Sequence, residues 1–337
     1  MSSLVYLPMG QSLDYWYLRL SNHQRRNAFI LTKVLELVTY KARRLRSPWP
    51  IAAGTRRRPS SAEPDPLRVR PTLVRHGVSD ADEATVVIPV HACRAEDIEM
   101  LERLLDRLAS QSERPTVVVV NDGSTFALPS RSEVKVLSTD QCRGPAAARN
   151  LGIEWALQSG AKVVFFTDAD CLPEVDWIET GLRRFRANPF MHLVSGCTRA
   201  LDRSWLGRYH DINGTLNGRR FAGTKLLLYG PTCNLAATAE VLQAVRFHES
   251  FTRAACEDIH FCFGAYRRGF LIHHAEDMMV RHDFGYDRAT RLGAIRRFSS
   301  MFSRYAESEA LLVEHIPDYH DYFVQTVEIS VELPHAG

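Results

Sequence analysis

The stretch VVFFTDADCLP, residues 163–173, runs from four apolar residues into two aspartates, Asp168 and Asp170, that are separated by one alanine. The apolar run predicts a buried β-strand. Residues i and i+2 of an extended segment point the same way, so both carboxylates would aim at one point. Two like charges repel unless a positive charge lies between them, and magnesium or manganese would supply it. Alternatively, one aspartate caps the next helix and the other is merely exposed.

Strand and helix patterns alternate around this stretch. Further strands are predicted for ATVVIPV (84–90), VVVV (117–120) and VKVLST (134–139), and helices for residues 95–110 and 144–160. This alternation predicts an α/β fold with a mostly parallel sheet that is covered on both faces. Ligands of such sheets lie at the carboxyl ends of the strands. Polar residues fall at those ends, namely His91, the run NDGS (121–124), Asp168 and Asp170.

The pattern is looser after Asp170. Helices are predicted for residues 174–188 and 256–270, and strands for 192–200, 226–238 and 271–284. Residues 202–225 are rich in glycine, arginine and asparagine, and this composition predicts a mobile loop or insertion. Its aromatic residues could stack on a sugar ring or pack back on the domain; they are Trp205, Tyr209 and Phe221.

Composition limits the protein class. The chain has 337 residues, a formal net charge of +3 and 45% hydrophobic residues, which suits one large soluble domain with extensions. No apolar run approaches the ~18 residues of a membrane span, and we expect no secretory signal. Seven scattered cysteines without a CxxC pair predict reduced thiols in a cytoplasmic protein. The small positive charge does not indicate nucleic-acid binding.

Both ends of the chain differ from this centre. Residues 20–46 predict a basic amphipathic helix, and residues 47–71, rich in proline, serine and arginine, predict a flexible linker. This helix either docks on the main domain or makes a peripheral contact with an anionic membrane. Residues 291–315 predict another amphipathic helix. Simple packing on the domain is the interpretation we favour for it, over covering an acceptor site, dimerisation or membrane contact.

A set of segments taken together resembles the family 2 glycosyltransferases. The segments, in order, are VVIPVHA, VVVVNDGS, GPAAARNLGIEWA, VFFTDADCLP, CEDIHFCFGAYRRGF and VRHDF, between residues 84 and 284. The resemblance implies the GT-A fold, with one nucleotide-binding domain over residues 84–285. Residues 1–83 would then be an N-terminal helix and linker, and residues 286–337 a helical C-terminal extension.

The resemblance also implies a nucleotide site. Its residues would be Pro89, Val90, His91, Asp122, Arg149, Asn150, Asp168 and Ala169. Asp122 stands where the family hydrogen-bonds the uracil ring, and it could also form an Asx turn before Gly123. Arg149 could alternatively be a plain charge on the helix surface.

A metal site is implied next to the nucleotide. Asp168 and Asp170 match the family's metal motif, and His282 falls where many members place a third ligand for Mn²⁺ or Mg²⁺. His273 and His274 are nearby in sequence and could compete with His282 for this role.

The resemblance places the catalytic base in the pair Glu257 and Asp258. Asp258 would take the proton from the acceptor hydroxyl, while Glu257 would hold the acceptor or the helix start. Acidic residues in the first turn of a helix are also favourable without any catalytic role. The sequence departs from the family pattern at Cys93 and at Ile259-His260.

The implied function is a metal-dependent, inverting glycosyltransferase that uses a nucleotide sugar, most readily a UDP-sugar, and an acceptor hydroxyl on a glycan, a lipid-linked molecule or a small molecule. We expect single additions, because Arg296 and Arg297 lack the tryptophan of the processive QxxRW element. A nucleotidyltransferase is one alternative, although no glycine follows the first strand. A non-catalytic sugar-nucleotide-binding scaffold is another, although Asp168, Asp170 and Asp258 are all present.

Overall fold

The structure is a computed structural model that describes residues 69–81, 83–221, 224–316, 319 and 326–327. The predicted N-terminal helix and most of the predicted linker lie outside the described residues, as does most of the chain after residue 316.

Four parallel strands form the first half of the sheet. They are β1 (Ala84–Val90), β2 (Thr116–Asn121), β3 (Val134–Ser138) and β4 (Val163–Phe166), in the order β3-β2-β1-β4. Helix α1 (Ala95–Ala109) leads from β1 to β2, and α2 (Pro145–Gln158) leads from β3 to β4. The strands carry valine, isoleucine and phenylalanine on both faces, as expected for a parallel sheet covered by helices.

The second half extends this sheet beyond β4. Its strands are β5 (Cys171–Pro173), β6 (Leu193–Ala200), β7 (Arg220–Phe221), β8 (Leu226–Leu227), β9 (Leu235–Thr238), β10 (Ile272–His282) and β11 (Thr326–Val327). Its helices are α3 (Trp177–Ala187), α4 (Trp205–Asn213), α5 (Ala239–Ala244), α6 (Glu257–Arg267) and α7 (Arg291–His315), with a 3₁₀ turn at Thr232–Asn234. The described strands follow the order β11-β7-β8-β10-β6-β9-β4-β1-β2-β3, and β5 pairs with β10.

The sheet is mixed but mostly parallel in its centre. Strand β9 is antiparallel to β4 and β6, whereas β10 runs parallel to β6 along most of its length. The expected α/β architecture with a mostly parallel central sheet, together with a C-terminal helix, is therefore confirmed.

Two apolar layers hold the helices on the sheet. Val86 and Ile88 of β1 face the layer that contains α1 and α3, while Val87 faces the layer that contains α2 and α6. A smaller third cluster joins α4 to α7 through Tyr209 and Phe298. Helix α7 has 25 residues, yet no helix in the described ranges combines the length and the apolar character needed to cross a bilayer.

Residues 202–225 are more regular than the expected loop. Ser204 caps α4 by accepting a hydrogen bond at Oγ from the Gly207 amide at 3.2 Å, and the helix ends at Gly214, whose φ is 57°. Strands β7 and β8 follow. The sequence did not predict α4 because its apolar contacts are with α7, about a third of the domain later in the chain.

The loop aromatics divide between two environments. Tyr209 and Phe221 are buried, and they pack back on the domain through Phe298 and Tyr266 respectively. Trp205 remains partly exposed. Phe221 therefore has no access to a bound sugar in this arrangement.

The segment that follows the predicted linker contacts the domain. The Thr72 amide donates to the Gly269 carbonyl at 2.9 Å, and the His76 amide donates to the Pro189 carbonyl at 3.0 Å. The Val74 carbonyl lies 2.8 Å from His192 Nε2. Residues 72–76 are thus held by residues that follow α6 and α3 and precede β6.

A buried asparagine ties the second half of the sheet together. Asn234 is fully buried, and its Nδ2 donates to the Met278 and Cys197 carbonyls at 2.9 and 3.1 Å. Its Oδ1 accepts from Trp177 Nε1 at 2.9 Å. These bonds satisfy the irregular part of the β6–β10 pairing, between Ala275 and Met279.

We predict that Asn234→Leu lowers the free energy of unfolding by about 3 kcal/mol, because it leaves a buried indole N–H and two carbonyls unpaired. Asn188→Leu is the control, since its side chain makes an exposed hydrogen bond to the Phe190 amide. We expect it to cost less than about 1 kcal/mol. Urea denaturation measures both values, and equal losses would contradict the role assigned to Asn234.

Candidate active site

One cavity of about 840 Å³ lies at the carboxyl ends of the central strands. The ends of β1, β2 and β4 form one wall, and the first turn of α6 forms another. Helix α7 closes the far side. Most residues of the predicted nucleotide site line this cavity, namely Pro89, Val90, His91, Asp122, Arg149, Asp168 and Ala169.

Asp122 is buried and holds the chain that leads into α2. Its carboxylate accepts hydrogen bonds from the backbone amides of Arg143 and Gly144 at 2.8 and 2.7 Å. It also accepts from Thr139 Oγ1 at 3.0 Å. Asp122 does not form the predicted Asx turn; the turn at residues 121–124 is instead held by Asn121, whose Oδ1 accepts from the Ser124 amide at 2.9 Å. Asp122 therefore shapes the floor of the cavity.

Asn150 does not line the cavity. Its side chain is occupied by the segment before α6: Nδ2 donates to the Phe247 carbonyl at 2.9 Å, and Oδ1 accepts from the Phe247 amide at 3.0 Å. Asn150 thus holds the segment around Phe247 against α2. Asn150 was predicted to border the nucleotide site, but it points away from the cavity because adjacent residues of a helix point about 100° apart, and Arg149 takes the inward direction.

Arg149 is the central charge of the site. It is only 2% exposed, which excludes the alternative of a plain surface charge. Its Nη2 donates to Asp168 Oδ1 and its Nη1 to Glu257 Oε1, both at 2.7 Å. Burial alone would lower the pKa of Arg149, but the charges of Asp168 and Glu257 raise it above its usual value. The guanidinium therefore stays charged and joins the end of β4 to the start of α6.

Asp168, Asp170 and His282 converge beside this arginine. Together with the Cys171 thiol they offer ligand atoms that all lie within 4.8 Å of one another. His282 Nε2 lies 3.3 Å from Asp170 Oδ1. Burial raises the pKa of Asp170, and the charge of His282 opposes that rise.

This donor set fits Mn²⁺ or Mg²⁺. Two carboxylates and one imidazole are suitable ligands for these cations. Oδ1 of Asp168 accepts from Arg149, which leaves Oδ2 to coordinate the cation. Burial and a hydrogen bond with Cys233 raise the pKa of Cys171 well above its usual value, so its neutral thiol is a poor ligand for a hard cation. All seven cysteines of the chain are free.

His273 and His274 do not take part in this cluster. They lie at the other end of β10, outside the cavity, and His274 Nδ1 is 2.6 Å from Arg220 Nη2. Of the three candidate histidines, only His282 lies with the two aspartates. Its Nδ1 is buried without a hydrogen-bond partner among the described residues.

Asp258 and Glu257 lie in the first turn of α6, as predicted, and both line the cavity. Glu257 is buried against Arg149, whereas the Asp258 side chain is partly exposed at the cavity wall. Burial of its carboxyl and the charge of Glu257 raise the pKa of Asp258 to about 7. A carboxylate with this pKa is a much stronger base than an ordinary aspartate.

The residue before this pair has a strained backbone. Cys256 precedes α6 with φ of 65°, which makes it the one non-glycine residue with positive φ in the described ranges. Such a conformation is costly for a residue with a Cβ and often occurs at active sites. No sequence pattern predicted this conformation, since cysteine has no preference for the positive-φ region.

Helix α7 contributes to the cavity, whereas simple packing on the domain was favoured from the sequence over the alternative that this helix covers an acceptor site. Met301, Phe302, Tyr305 and Leu312 of this helix line the cavity. The amphipathic pattern of residues 291–315 predicted that one face would pack, but it could not identify the surface against which that face packs.

Comparison with known proteins finds a family model that matches part of the chain. Residues 85–244 match the family model described as glycosyl transferase family 2. The pre-mycofactocin glycosyltransferase of Mycobacterium tuberculosis (strain CDC 1551 / Oshkosh) is 27% identical over 213 residues, which cover 60% of this chain and 43% of that protein. Glycosyltransferase AglE of Haloferax volcanii is 30% identical over 109 residues, 29% of this chain and 34% of that protein. The chain thus spans less than half the length of either relative.

Solved structures give weaker likeness. S. aureus TarS 1–349 superposes with a TM-score of 0.47 at 17% identity, covering 61% of this chain and 62% of that one. GalNAc-T7 with UDP, GalNAc and Mn²⁺ gives a TM-score of 0.47 at 14% identity, covering 61% and 44%.

We predict that Arg149→Met destabilises the protein by about 3–5 kcal/mol, because it leaves the buried carboxylate of Glu257 without its partner. The double variant Arg149→Met/Glu257→Gln should recover part of this loss, since the buried charge is also removed. A double-mutant cycle by urea denaturation measures the coupling. If the loss of stability in the double variant equals the sum of the losses in Arg149→Met and Glu257→Gln, the two residues are not coupled.

Proposed function

We propose, from the match of residues 85–244 to the glycosyl transferase family 2 model, that the protein is a metal-dependent, inverting glycosyltransferase that transfers one sugar from a nucleotide sugar, most directly a UDP-sugar, to an acceptor hydroxyl. One observation carries the proposal. The cluster of Asp168, Asp170 and His282 and the high-pKa carboxyl of Asp258 line one cavity.

The donor would lie along the strand ends. Its nucleotide would contact the wall formed by Pro89, Val90, His91 and Asp122, and its diphosphate would lie towards Asp168 and Asp170. Asp168, Asp170 and His282 would hold the divalent cation, which when bound neutralises charge on the diphosphate leaving group. Arg149 fixes Asp168, so the ligand set has a defined orientation before any donor binds.

Asp258 would act as the general base. The acceptor oxygen forms a bond to the anomeric carbon on the face opposite the leaving group, and the bond from that carbon to the diphosphate oxygen breaks. The hydroxyl proton passes to the Asp258 carboxylate, and the nucleoside diphosphate departs with the bonding pair. One displacement inverts the configuration at the anomeric carbon. A pKa of about 7 leaves a large fraction of Asp258 ionised at neutral pH while keeping it basic.

Nucleotide and metal binding test the donor half of this proposal. We expect UDP to raise the melting temperature only when Mn²⁺ is present, and to do so more than GDP, CDP or ADP. At ~100 times its dissociation constant, UDP should add about 2.7 kcal/mol to the free energy of unfolding. Each kcal/mol raises the melting temperature by roughly 2–4 °C. Asp170→Ala should abolish the shift, whereas Asp140→Ala, at an exposed aspartate outside the cavity, should keep it. An equal UDP shift without metal would contradict the proposed cation site.

The base assignment is tested by the rate of UDP release from UDP-glucose, UDP-galactose and UDP-GlcNAc, with water as the acceptor. Asp258→Asn should lower this rate by at least ~100-fold while UDP affinity is retained, because the amide cannot accept the proton. Asp140→Asn is the matched control. The wild-type rate should fall about tenfold per pH unit below pH ~7 and level off above it, since protonation removes the base. An Asp258→Asn variant that releases UDP at the wild-type rate would favour a non-catalytic binding protein.

A further inference from the structure

The cavity continues from the strand ends to a part that is lined by α7 and by residues near Tyr229. We call this part the tyrosine end. It is lined by aromatic and apolar side chains, namely Tyr229, Met301, Phe302, Tyr305, Leu312 and Tyr319. Five of these six follow residue 290, so they lie outside the segment that matches the family. The tyrosine end is therefore a property of this chain's C-terminal part.

The side chains at the tyrosine end are largely buried. Leu312, Tyr319 and Phe302 line the cavity and are 0%, 3% and 4% exposed. Phe302 and Tyr305 meet edge to face with ring centroids 5.8 Å apart. Aromatic rings favour contact with a planar group over a flexible alkyl chain.

The tyrosine end lies next to the base. Burial raises the pKa of Tyr305 well above its usual value, and the charge of Asp258 raises it further. Burial also raises the pKa of Tyr229, with Asp258 again contributing. Both phenols line the same cavity as Asp258. They are neutral and can donate hydrogen bonds to a bound molecule.

Charges of both signs also line this half of the cavity. Arg219, Arg304 and Glu309 contribute to its lining, so neither sign dominates. A polyanionic acceptor would meet Glu309, and a polycationic one would meet the two arginines. The binding energy available here comes mainly from aromatic and apolar surface, with phenol hydroxyls for orientation.

We propose that the tyrosine end is the acceptor subsite and that it selects an acceptor with a planar apolar group next to the hydroxyl that receives the sugar. This inference rests on the proposed glycosyltransferase function. The planar group lies against the rings of Tyr229, Tyr305 and Phe302, and the hydroxyl then faces Asp258. Tyr305 acts as a specificity-determining residue.

The test measures dissociation constants by isothermal titration calorimetry on the full chain saturated with UDP and Mn²⁺. The three probes are phenyl, methyl and hexyl β-D-glucoside. These share one sugar and differ only in the group attached to it. We expect the phenyl glucoside to bind at least tenfold more tightly than the methyl glucoside and more tightly than the hexyl glucoside. Equal affinities for phenyl and methyl, no phenyl binding, or tightest binding of hexyl would each overturn the proposal.

Variants locate the effect. Tyr305→Ala should lose at least fivefold in affinity for the phenyl glucoside, while Tyr305→Phe, which keeps the ring, should lose less. Ile295→Ala, an exposed position on the same helix that does not line the cavity, should keep wild-type affinity. UDP affinity should stay within twofold in all three. Failure of UDP and Mn²⁺ to bind the wild type would contradict the proposed function itself, whereas intact UDP binding with no preference for phenyl would contradict only this inference.

Discussion

The buried guanidinium of Arg149 is the interaction on which the rest of the site depends. It is the cation that compensates two carboxylates from different parts of the chain, Asp168 after β4 and Glu257 at the start of α6. Taking a carboxylate out of water costs several kcal/mol unless a partner of opposite charge is fixed beside it. Without Arg149, Glu257 would have to be neutral or exposed. The two walls of the cavity would then lose the link that sets their separation.

The position of Arg149 follows from close packing of α2 on the sheet. Gly152, three residues later in α2, lies so near β1 that a Cβ there would sit 2.4 Å from Val87 Cγ1. Only glycine allows this approach. Alanines at 146–148 fill the rest of the contact with little volume. A helix so close to the strands brings a long arginine side chain to the strand ends, where it reaches both carboxylates. Small residues in α2 thus position the buried arginine of the site.

Local sequence signals predicted the sheet, its main helices and the acidic pairs, because each depends on a few adjacent residues. The strand VVFF and the pair Asp168 and Asp170 could be read directly, and so could the acidic first turn of α6. Features that depend on contacts distant in sequence were not predicted. Helix α4 packs on α7, Asn150 turns away to Phe247, and α7 closes the cavity. Arg149 carried a weak signal, since a lone charge in AAARNLG lies among residues suited to a close helix–sheet contact.

The two acidic residues at the start of α6 have different surroundings and therefore different properties. Glu257 lies against Arg149, so its charge is compensated, and that charge in turn acts on its neighbour. Asp258 has no arginine within ion-pairing distance among the described residues, and burial together with Glu257 raises its pKa to about 7. Two adjacent carboxyls thus divide into a structural anion and a base, as the environment of each dictates. Residues of α7 line the same cavity as Asp258. Under the proposed function, the C-terminal helix would therefore border the acceptor that Asp258 deprotonates.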